Sequence, residues 1–462
     1  MFYPRGGSSH AARAVVRSLR ARGLDVTLLA GSRSDLGPHA DAHCFFGPET
    51  RAVSFDAALA SGQPLRYEGP AGSAPMHASF EDRPGAPDRI FASLDDLELE
   101  RQVRSWAREL ALAGAAEADV LYLHHLTPLH EAAARVAPQV PVVAQLHGTE
   151  LLMLEQIEAG RCSHWPQADR WAERLRRWAA RCARLVAVPA AVERAVRLLH
   201  VAPEIIVPIP SGVDVELFSP GEPPNGREAF WRRTLVEQPA GWLPGRGAGS
   251  VRYSAADARR LAEGTALLHV GRFTAVKRID LLIEAFARAR GDGREAGCPA
   301  RLVLVGGHPG EWEGEHPAQM IERLGVPDVF LAGWQPHEAL PEFLTAADAL
   351  VMSSEREQFG LVLIEAMACG VPVIATRSLG PASNVEPGRT GWLVDGGADS
   401  GPLAAAIGEA IADPARRERL GLAGREAAVA RFSWEGIAQR IGAVLEQAAH
   451  ERPRRPVTSA TG

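Results

Sequence analysis

Short apolar runs alternate with amphipathic stretches along most of the chain, and this alternation limits the fold more than any other feature. In the first half the apolar runs are DVTLLAG from Asp25, DVLYLHH from Asp119, PVVAQLHG from Pro141 and RLVAVPA from Arg184. In the second half they are ALLHVGRF from Ala266, RLVLVGG from Arg301, DVFLAGW from Asp328, DALVMSS from Asp348 and PVIAT from Pro372. Strands separated by helical stretches form parallel sheets covered by helices. The pattern predicts an α/β fold of two Rossmann-like halves facing a central cleft.

Domain boundaries follow from the same pattern. We predict an N-terminal domain over 1–207 and a C-terminal domain over 208–430. An amphipathic helix over 431–450 is expected to pack back toward the first domain, and 451–462 lack an apolar period, as in a disordered tail. Residues 220–263 form an insertion rich in Pro, Gly and Arg, longer than usual connections. Its GRGAGS stretch follows no strand, so we interpret it as a linker rather than a dinucleotide fingerprint.

The composition is that of an ordinary globular protein, with 46% hydrophobic and 23% charged residues among 462. A formal net charge of -6 argues against a nucleic-acid partner. Five cysteines without a CxxC pair favour reduced thiols. No apolar run reaches the roughly 18 residues of a membrane helix, and the residues after Met1 lack the apolar segment of a signal peptide. We therefore expect a cytoplasmic location.

Lysine is almost absent from this chain. Of 50 basic residues only Lys277 is a lysine, so 49 are arginines. An ammonium is a compact point charge, whereas guanidinium is a planar fork, so a crowded anion site can require the former. The alternative is chance survival of a surface lysine.

Common lysine motifs do not fit these surroundings. AVK without HRD or DFG excludes a protein kinase, and Lys277 is not followed by Ser or Thr, which excludes a P-loop. No Asp-x-Asp metal signature occurs in the chain. We therefore predict no metal and no cofactor, with cations supplied by the protein.

The most informative segment is SSEREQFGLVLIEAMACGVPVIAT from Ser353. It predicts a strand end, a turn with Glu357, a helix that begins near Phe359 and Gly360, and a cap at Gly370. Amides at such a helix start favour a diphosphate. Glu357 and Glu365 are interpreted as acceptors for sugar hydroxyls on opposite sides of the ligand. The alternative is a capping Glu357 and a solvated Glu365.

The second half resembles the retaining glycosyltransferases of family four, which have the GT-B fold. The resemblance rests on Gly271, Arg272 and Lys277, on Glu357 and Glu365 eight residues apart, and on SGVDVELFSP, FLAGWQPHEALPEFLTAADALVMSS and EAMACGVPVIAT. It covers most of 211–394 outside the insertion. The first half is similar more loosely, in the pair Gly6-Gly7, in ARGLDVTLLAG and in QLHGTE.

The resemblance implies a site for a nucleotide sugar. Arg272 and Lys277 would hold the leaving diphosphate, Glu357 the donor sugar and Glu365 the ribose. His147 would contact the sugar, although a strand-end histidine satisfied by its neighbours is the alternative. The other positions expected to contact the donor are Gly6, Gly7, Gly306, Trp334, Phe359, Gly360 and Leu361.

Two positions depart from the family pattern. Only MFYPR precedes Gly6, where family members begin with a complete strand. The usual G-G-x-P-E segment after PVIAT is LGPAS, Leu379–Ser383, which lacks the acid.

The implied activity is retaining, metal-independent transfer of a sugar, expected to be a hexose, to a hydroxyl acceptor. The first domain is expected to be the acceptor-side domain. Two alternatives remain open: another GT-B enzyme, such as a phosphorylase or sugar epimerase, and a catalytically silent binder of nucleotide sugars. The base, the sugar, the acceptor and the oligomeric state are not encoded in any pattern that we can interpret.

A basic helical segment, DRWAERLRRWAARCARL from Asp169, raises the question of membrane contact. It places Arg174, Arg177, Arg181 and Arg184 on one helical face beside Trp171 and Trp178. Such a face allows weak peripheral contact with the inner surface of the cell membrane and a lipid acceptor. The alternative is an ordinary helix that packs its tryptophans inside the first domain.

Overall fold

The computed structural model describes residues 7–81, 88–293 and 299–451. Within these ranges the chain forms two compact units. The first comprises the residues up to Ser211 together with those from Glu435 onward, and the second is Gly212–Trp434. This division lies four residues beyond the predicted 207/208 boundary. Gly6 and residues 452–462 of the predicted tail lie outside the described residues.

The first unit contains two parallel sheets. Its strands are β1 (Leu29–Ser32), β2 (Arg51–Ser54), β3 (Leu121–His124), β4 (Val142–Gln145), β5 (Arg184–Ala187) and β6 (Ile206–Pro208). Its helices are α1 (Gly7–Ala21), α2 (Ala42–Phe46), α3 (Asp56–Ala60), α4 (Asp96–Leu112), α5 (Leu129–Val136), α6 (Thr149–Glu158), α7 (Ala168–Arg181) and α8 (Val192–Leu199). β1 pairs with β2, and the other four strands pair in chain order.

The second unit is built around one parallel sheet of order β12-β11-β10-β7-β8-β9. Its strands are β7 (Thr265–Val270), β8 (Ala300–Val305), β9 (Val329–Gly333), β10 (Ala349–Met352), β11 (Val373–Thr376) and β12 (Gly391–Val394). Its helices are α9 (Gly226–Arg232), which continues as a π-helix (Arg233–Glu237), α10 (Ala255–Glu263), α11 (Ile279–Gly293), α12 (Pro317–Leu324), α13 (Leu340–Thr345), α14 (Leu361–Ala368), α15 (Leu379–Asn384), α16 (Gly401–Ala412) and α17 (Pro414–Phe432).

The core strands of the second unit are buried on both faces, as their mainly apolar sequences predict. Every residue of β8, β9, β10 and β11 is buried. α11 and α16 pack their apolar sides against this sheet. The nine predicted strands all coincide with strands of the structure, while β2, β6 and β12 were not predicted.

The last helix, α18 (Trp434–His450), belongs to the first unit from Glu435 onward. Arg440 Nη2 donates a hydrogen bond to the carbonyl oxygen of Pro208 at 2.6 Å. A Cβ atom on Gly442 would lie 3.5 Å from the Leu19 side chain. The helix therefore packs against α1 and the end of β6.

The basic helix α7 is anchored inside the first unit by its tryptophans. Trp171 and Trp178 are both buried. Arg174 pairs with Asp96 at 3.2 Å, and Arg177 pairs with Glu131 at 2.8 Å. This geometry favours the ordinary packed helix over a membrane-inserting face. No helix among the described residues combines the length and the apolar character needed to cross a bilayer.

Candidate functional site

The strand order of the second unit's parallel sheet reverses between β7 and β10, and this position is its topological switch point. β8 and β9 continue outward from β7, whereas β11 and β12 continue outward from β10. Such a reversal leaves a crevice at the carboxyl ends of the two central strands, where α/β proteins bind ligands. Arg272 and Lys277 follow β7, and Glu357 follows β10. The two sequence motifs therefore meet at one switch point.

Lys277 and Glu357 form an ion pair there. Nζ of Lys277 lies 2.6 Å from Oε2 of Glu357, and the side chains are only 22% and 17% exposed. The other carboxylate oxygen, Oε1, accepts a hydrogen bond from the backbone N–H of Gly360 at 3.1 Å. We predicted these side chains for different parts of a ligand, whereas the structure places them in direct contact. Glu357 thus also has the helix-capping contact of the alternative interpretation.

Hydrogen bonds to backbone carbonyl oxygens hold together the two loops that carry Lys277 and Glu357. Ser353 Oγ donates to the carbonyl oxygen of Lys277 at 2.7 Å. The backbone N–H of Glu355 donates to the carbonyl oxygen of Val276 at 2.9 Å. Because the main chains are linked directly, the lysine stem begins from a fixed position.

Glu365 lies on α14 and is buried rather than solvated. Its Oε1 atom is 2.7 Å from Nε2 of His337, whose ring also packs near Phe218. Sequence reasoning did not select His337. The available signal was a histidine three residues beyond Trp334, after a strand that ends at the same sheet edge.

The unusual LGPAS segment forms α15 and supports the Glu357 loop through backbone contacts. The Gly380 N–H donates to the carbonyl oxygen of Glu357 at 2.9 Å. Asn384 Nδ2 donates to the carbonyl oxygen of Phe359 at 2.6 Å. A Cβ atom at Gly380 would lie 2.4 Å from that same oxygen, so glycine is required. The segment therefore positions Glu357 without an acidic side chain of its own.

The other predicted residues of this unit lie after β7, β8 or β9 or at the start of α14, and they differ in exposure. Arg272 is exposed two residues after β7, and Trp334 is 41% exposed directly after β9. Phe359 is buried, Gly360 has φ 83 and caps α14, and Leu361 is its first residue. Gly306, with φ 123, follows β8, and a Cβ atom there would lie 2.0 Å from the carbonyl oxygen of Gly271.

His269, on β7, is a second histidine that the sequence analysis missed. It is buried, and its Nδ1 lies 3.0 Å from the carbonyl oxygen of Val351. Burial lowers the pKa of His269 to about 4; the bond to Val351 opposes this shift and the nearby Lys277 adds to it. The ring is therefore neutral near pH 7. A polar residue inside an apolar strand was the signal for it.

In the first unit, His147 follows β4 and belongs to a group of histidines at the strand ends. Nε2 of His147 lies 3.0 Å from Nδ1 of His124, and the ring centroid of His147 lies 4.4 Å from that of His125. His125 Nδ1 lies 3.0 Å from Oε1 of the fully buried Glu150. His147 thus has the neighbours of the alternative interpretation, and it also keeps partial exposure.

This packing keeps the histidine pair neutral. Burial, and then the neighbouring His125, lowers the pKa of His147 to about 3. Burial likewise holds the pKa of His124 well below its usual range. Burial opposes ionisation of Glu150, but contact with His125 outweighs it and lowers that pKa to about 2. Because both rings are neutral, one nitrogen of the His124–His147 contact donates and the other accepts, which couples their tautomers.

Two further predictions concern the glycine pair and metals. Gly7 is the exposed first residue of α1. Across the described residues, no three His, Cys, Asp or Glu side chains come together in a group able to hold a metal ion.

Comparison with known families accounts for most of the chain. Residues 5–217 match the model described as Glycosyltransferase Family 4, and residues 257–427 match the model described as Glycosyl transferases group 1. The chain belongs to the family-four glycosyltransferases. The two matches correspond to the two structural units, and the interval between them contains most of the insertion.

Curated relatives of this glycosyltransferase have different names. The D-inositol 3-phosphate glycosyltransferase of Acidothermus cellulolyticus is 34% identical over 260 residues, 56% of this chain and 51% of that protein. The N-acetyl-alpha-D-glucosaminyl L-malate synthase of Bacillus anthracis is 36% identical over 172 residues, 37% of this chain and 42% of that protein. The chain thus spans about half the length of the curated relatives that it matches.

Solved structures support the same fold. Sucrose-phosphate synthase from Thermosynechococcus elongatus has a TM-score of 0.65 at 24% identity, covering 96% of this chain and 93% of that one. HepE from Anabaena, solved with UDP and glucose, has a TM-score of 0.66 at 20% identity, covering 96% and 98%. The family-four glycosyltransferase described here therefore has the GT-B fold of two Rossmann-like domains.

Proposed function

We propose that this chain transfers a hexosyl group from a nucleoside-diphosphate sugar to a hydroxyl acceptor, with retention of configuration and without a metal ion. The observation that carries this proposal is the Lys277–Glu357 ion pair at the switch point of the second unit. It puts a cation for phosphate and an acceptor for sugar hydroxyls side by side, as a sugar diphosphate requires.

In this proposal the protein's own cations stabilise the leaving group. Lys277 and Arg272 both follow β7, and each charge-assisted contact with a phosphate oxygen contributes about 1.5–3 kcal/mol. As the bond between the anomeric carbon and the phosphate oxygen breaks, negative charge grows on the diphosphate. The acceptor oxygen bonds to the same face of that carbon, and its proton passes to the departing phosphate oxygen.

The remaining assignments concern orientation of the donor. We assign the ribose hydroxyls to Glu365, whose orientation is fixed by His337 at 2.7 Å. We assign contact with the donor sugar to Glu357 and to His147, whose ring is a neutral hydrogen-bonding group because its pKa is lowered to about 3. Neither assignment needs a protein nucleophile.

The relatives suggest where to begin with substrates. HepE from Anabaena was solved with UDP-glucose, so UDP-sugars are the first donors to test. Names among the relatives contain D-inositol 3-phosphate, L-malate and lipopolysaccharide core, so the acceptor panel should include a polyol phosphate, a hydroxy acid and a glycan.

We place the reaction in the cytoplasm. This location is supported by the cysteines of the described ranges, none of which forms a disulfide there: Cys44, Cys162, Cys182 and Cys369. Such thiols are typical of a reducing compartment.

The test measures release of nucleoside diphosphate from UDP-, GDP- and ADP-sugars, with EDTA present and the acceptor panel added. We expect one donor to support release. We expect Lys277→Ala to reduce kcat/KM by roughly tenfold to a hundredfold. Arg259→Ala is the matched control, because Arg259 is an exposed cation in the same unit. NMR of the new anomeric proton tests retention.

The outcomes separate the parts of the proposal. Nucleotide-sugar binding without turnover on any acceptor would favour the silent binder. Activity abolished by EDTA and restored by Mg²⁺ would refute metal independence. Equal activity of Lys277→Ala and wild type would refute the role of the ion pair.

A further inference from the structure

The insertion between Ser219 and Gly264 covers the outer edge of the second unit's sheet. The N–H of Leu331, on the edge strand β9, donates to the Tyr253 hydroxyl at 2.7 Å. A Cβ atom at Gly241 would lie 2.2 Å from the carbonyl oxygen of Leu331. Trp242 is only 1% exposed and belongs to the core of the unit. The insertion is thus a packed element of the unit, and the stretch that we interpreted as a linker, GRGAGS, lies in turns within it.

Trp242 connects this element to the glycine turn after β8. Its indole Nε1 donates to the carbonyl oxygen of Gly307 at 2.9 Å. Gly306 and Gly307 have φ of 123 and 66, which side-chain-bearing residues rarely adopt. Because neither glycine has a side chain, this turn is held through its backbone: Gly307 accepts the Trp242 hydrogen bond, and the Gly306 N–H donates to the carbonyl oxygen of Gly333 at 2.7 Å.

The glycine turn lies directly on the loop of residues 271–277, which we call the cation loop because it carries Arg272 and Lys277. A Cβ atom at Gly306 would lie 2.0 Å from the carbonyl oxygen of Gly271, and one at Gly307 would lie 2.4 Å from the Phe273 ring. The main chains are therefore in close contact, so a shift of the turn must move the cation loop.

Aromatic contacts continue this support along the loop. The Trp242 ring centroid lies 6.1 Å from that of Phe273 and 5.6 Å from that of Trp312. The next residue, Glu313, donates its N–H to the carbonyl oxygen of Phe273, and its Oε2 accepts the N–H of Ala275, each at 2.8 Å. Ala275 begins the 3-10 turn that ends at Lys277.

We infer that the insertion positions the cation loop, and that Trp242 is the positioning residue that transmits this support to Arg272 and Lys277. The inference deepens the proposed function and rests on it for the identity of the bound group. The ligand chemistry is the outer phosphate of a nucleoside diphosphate. A loop displaced by a fraction of an ångström loses contact with that phosphate, while binding of the base and ribose is unchanged.

Trp242→Phe tests this role, because it keeps an aromatic ring and removes the N–H donor. Tyr253→Phe is the matched control: it removes a different hydrogen bond of the insertion, the one from the Leu331 N–H, and leaves the Trp242–Gly307 bond in place. Each protein is titrated with UDP, GDP and ADP and with the corresponding monophosphates. Hydrogen exchange of the peptide over residues 271–277 is measured in parallel.

The expected result is selective. In Trp242→Phe, diphosphate affinity should fall roughly tenfold, monophosphate affinity should stay within about twofold, and amides of the cation loop should exchange several times faster. In Tyr253→Phe, the ratio of diphosphate to monophosphate affinity and the loop exchange should both match wild type, even where the melting temperature falls. If Trp242→Phe does not fold, Trp242→Tyr replaces it.

Three outcomes would overturn the inference: unchanged loop exchange in Trp242→Phe, an unchanged affinity ratio, or the same change in both variants, which would indicate general destabilisation. If wild type binds no diphosphate, the proposed function fails. Hydrogen exchange then still decides whether Trp242 restrains the loop, because it needs no ligand.

Discussion

Lys277 combines a short ion pair with a partly buried side chain. Its Nζ lies 2.6 Å from Glu357 Oε2, and the side chain is only 22% exposed. A guanidinium is wider and presents its donors as a planar fork, so it does not reproduce one compact charge at this position. This geometry is a physical reason for one lysine to remain in a chain with 49 arginines.

Lys277→Arg is therefore expected to behave as a damaging substitution. We predict that kcat/KM falls by roughly tenfold although the charge is kept, since a charge-assisted contact is worth about 1.5–3 kcal/mol. Steady-state kinetics with the preferred donor measure the change, and Arg259→Lys, an exposed exchange in the same unit, is the control. A fully active Lys277→Arg would mean that the lysine survived by chance.

Glu365→Gln tests the ribose assignment. Glu365 is buried and held by His337 at 2.7 Å, so the exchange weakens an acceptor without opening space. We predict roughly tenfold weaker binding of ribonucleotides and little change for 2′,3′-dideoxyribonucleotides, measured by calorimetry. Glu418→Gln, at an exposed position of α17, should change neither affinity. Equal losses for both sugars would refute the assignment.

At this scale the sequence identified positions but not partners. Lys277, Glu357 and Glu365 could be selected from motif spacing, whereas the Lys277–Glu357 and His337–Glu365 contacts could not. Each contact joins two segments that follow different strands. Which strand ends are neighbours depends on sheet order, and the spacing of residues along the chain does not encode that order.

Among the elements, strands with long apolar runs were predictable and short ones were not. β8 and β10 are buried throughout, and their sequences are apolar apart from Arg301 of β8. β2, Arg51–Ser54, has one buried residue, and β6 includes Pro208. Pairing with a neighbouring strand, rather than local sequence, makes these segments strands. β1 begins at Leu29, four residues after the predicted start at Asp25, because its pairing with β2 begins at Leu29.

The close approach of two backbone segments at the end of β8 gives a prediction for that loop. Gly306→Ala places a methyl group 2.0 Å from the Gly271 carbonyl oxygen, so the cation loop must move. We expect diphosphate affinity to fall at least roughly tenfold and the free energy of unfolding to fall by about 2–4 kcal/mol. Calorimetry and urea denaturation measure the two effects.

Gly310→Ala is the matched control for this prediction. Gly310 has φ 88, but no atom lies within 4 Å of its Cβ position. It should therefore lose only about 1 kcal/mol of stability through backbone strain and keep its diphosphate affinity. Similar affinity losses in the two variants would show that strain, and not contact with the cation loop, governs binding.

Across the whole molecule, both units bury neutral histidines. Burial lowers the pKa of His130, in the first unit, and of His269 and His316, in the second, to about 4, and that of His147 to about 3. In the unfolded chain these rings have a pKa near 6.5. The sequence could not predict the size of these shifts, because it depends on burial in the folded unit. His269 had a local signal of burial, since it lies inside the apolar strand β7.

The sign of the resulting pH dependence is fixed by these shifts. Between about pH 6.5 and 4 the unfolded chain binds more protons than the folded chain, so the free energy of unfolding falls as pH falls. The stabilisation is complete above pH 6.5 and is lost as pH approaches the folded pKa. Glu150, whose pKa is lowered to about 2, extends the loss with the same sign below about pH 4.5.

We therefore predict acid unfolding at mild pH. Each buried histidine loses up to about 1–2 kcal/mol of stabilisation between pH 7 and 5, and several such losses approach the total stability of about 5–15 kcal/mol that is typical of a domain. Urea denaturation from pH 7.5 to 4.5 measures the slope. His269→Gln should be less stable at pH 7 but should have a shallower slope, since one titrating group is removed, whereas the exposed His43→Gln should keep the wild-type slope. If the slope of His269→Gln equals that of wild type, buried His269 does not contribute to the pH dependence, and the acid sensitivity must come from other groups.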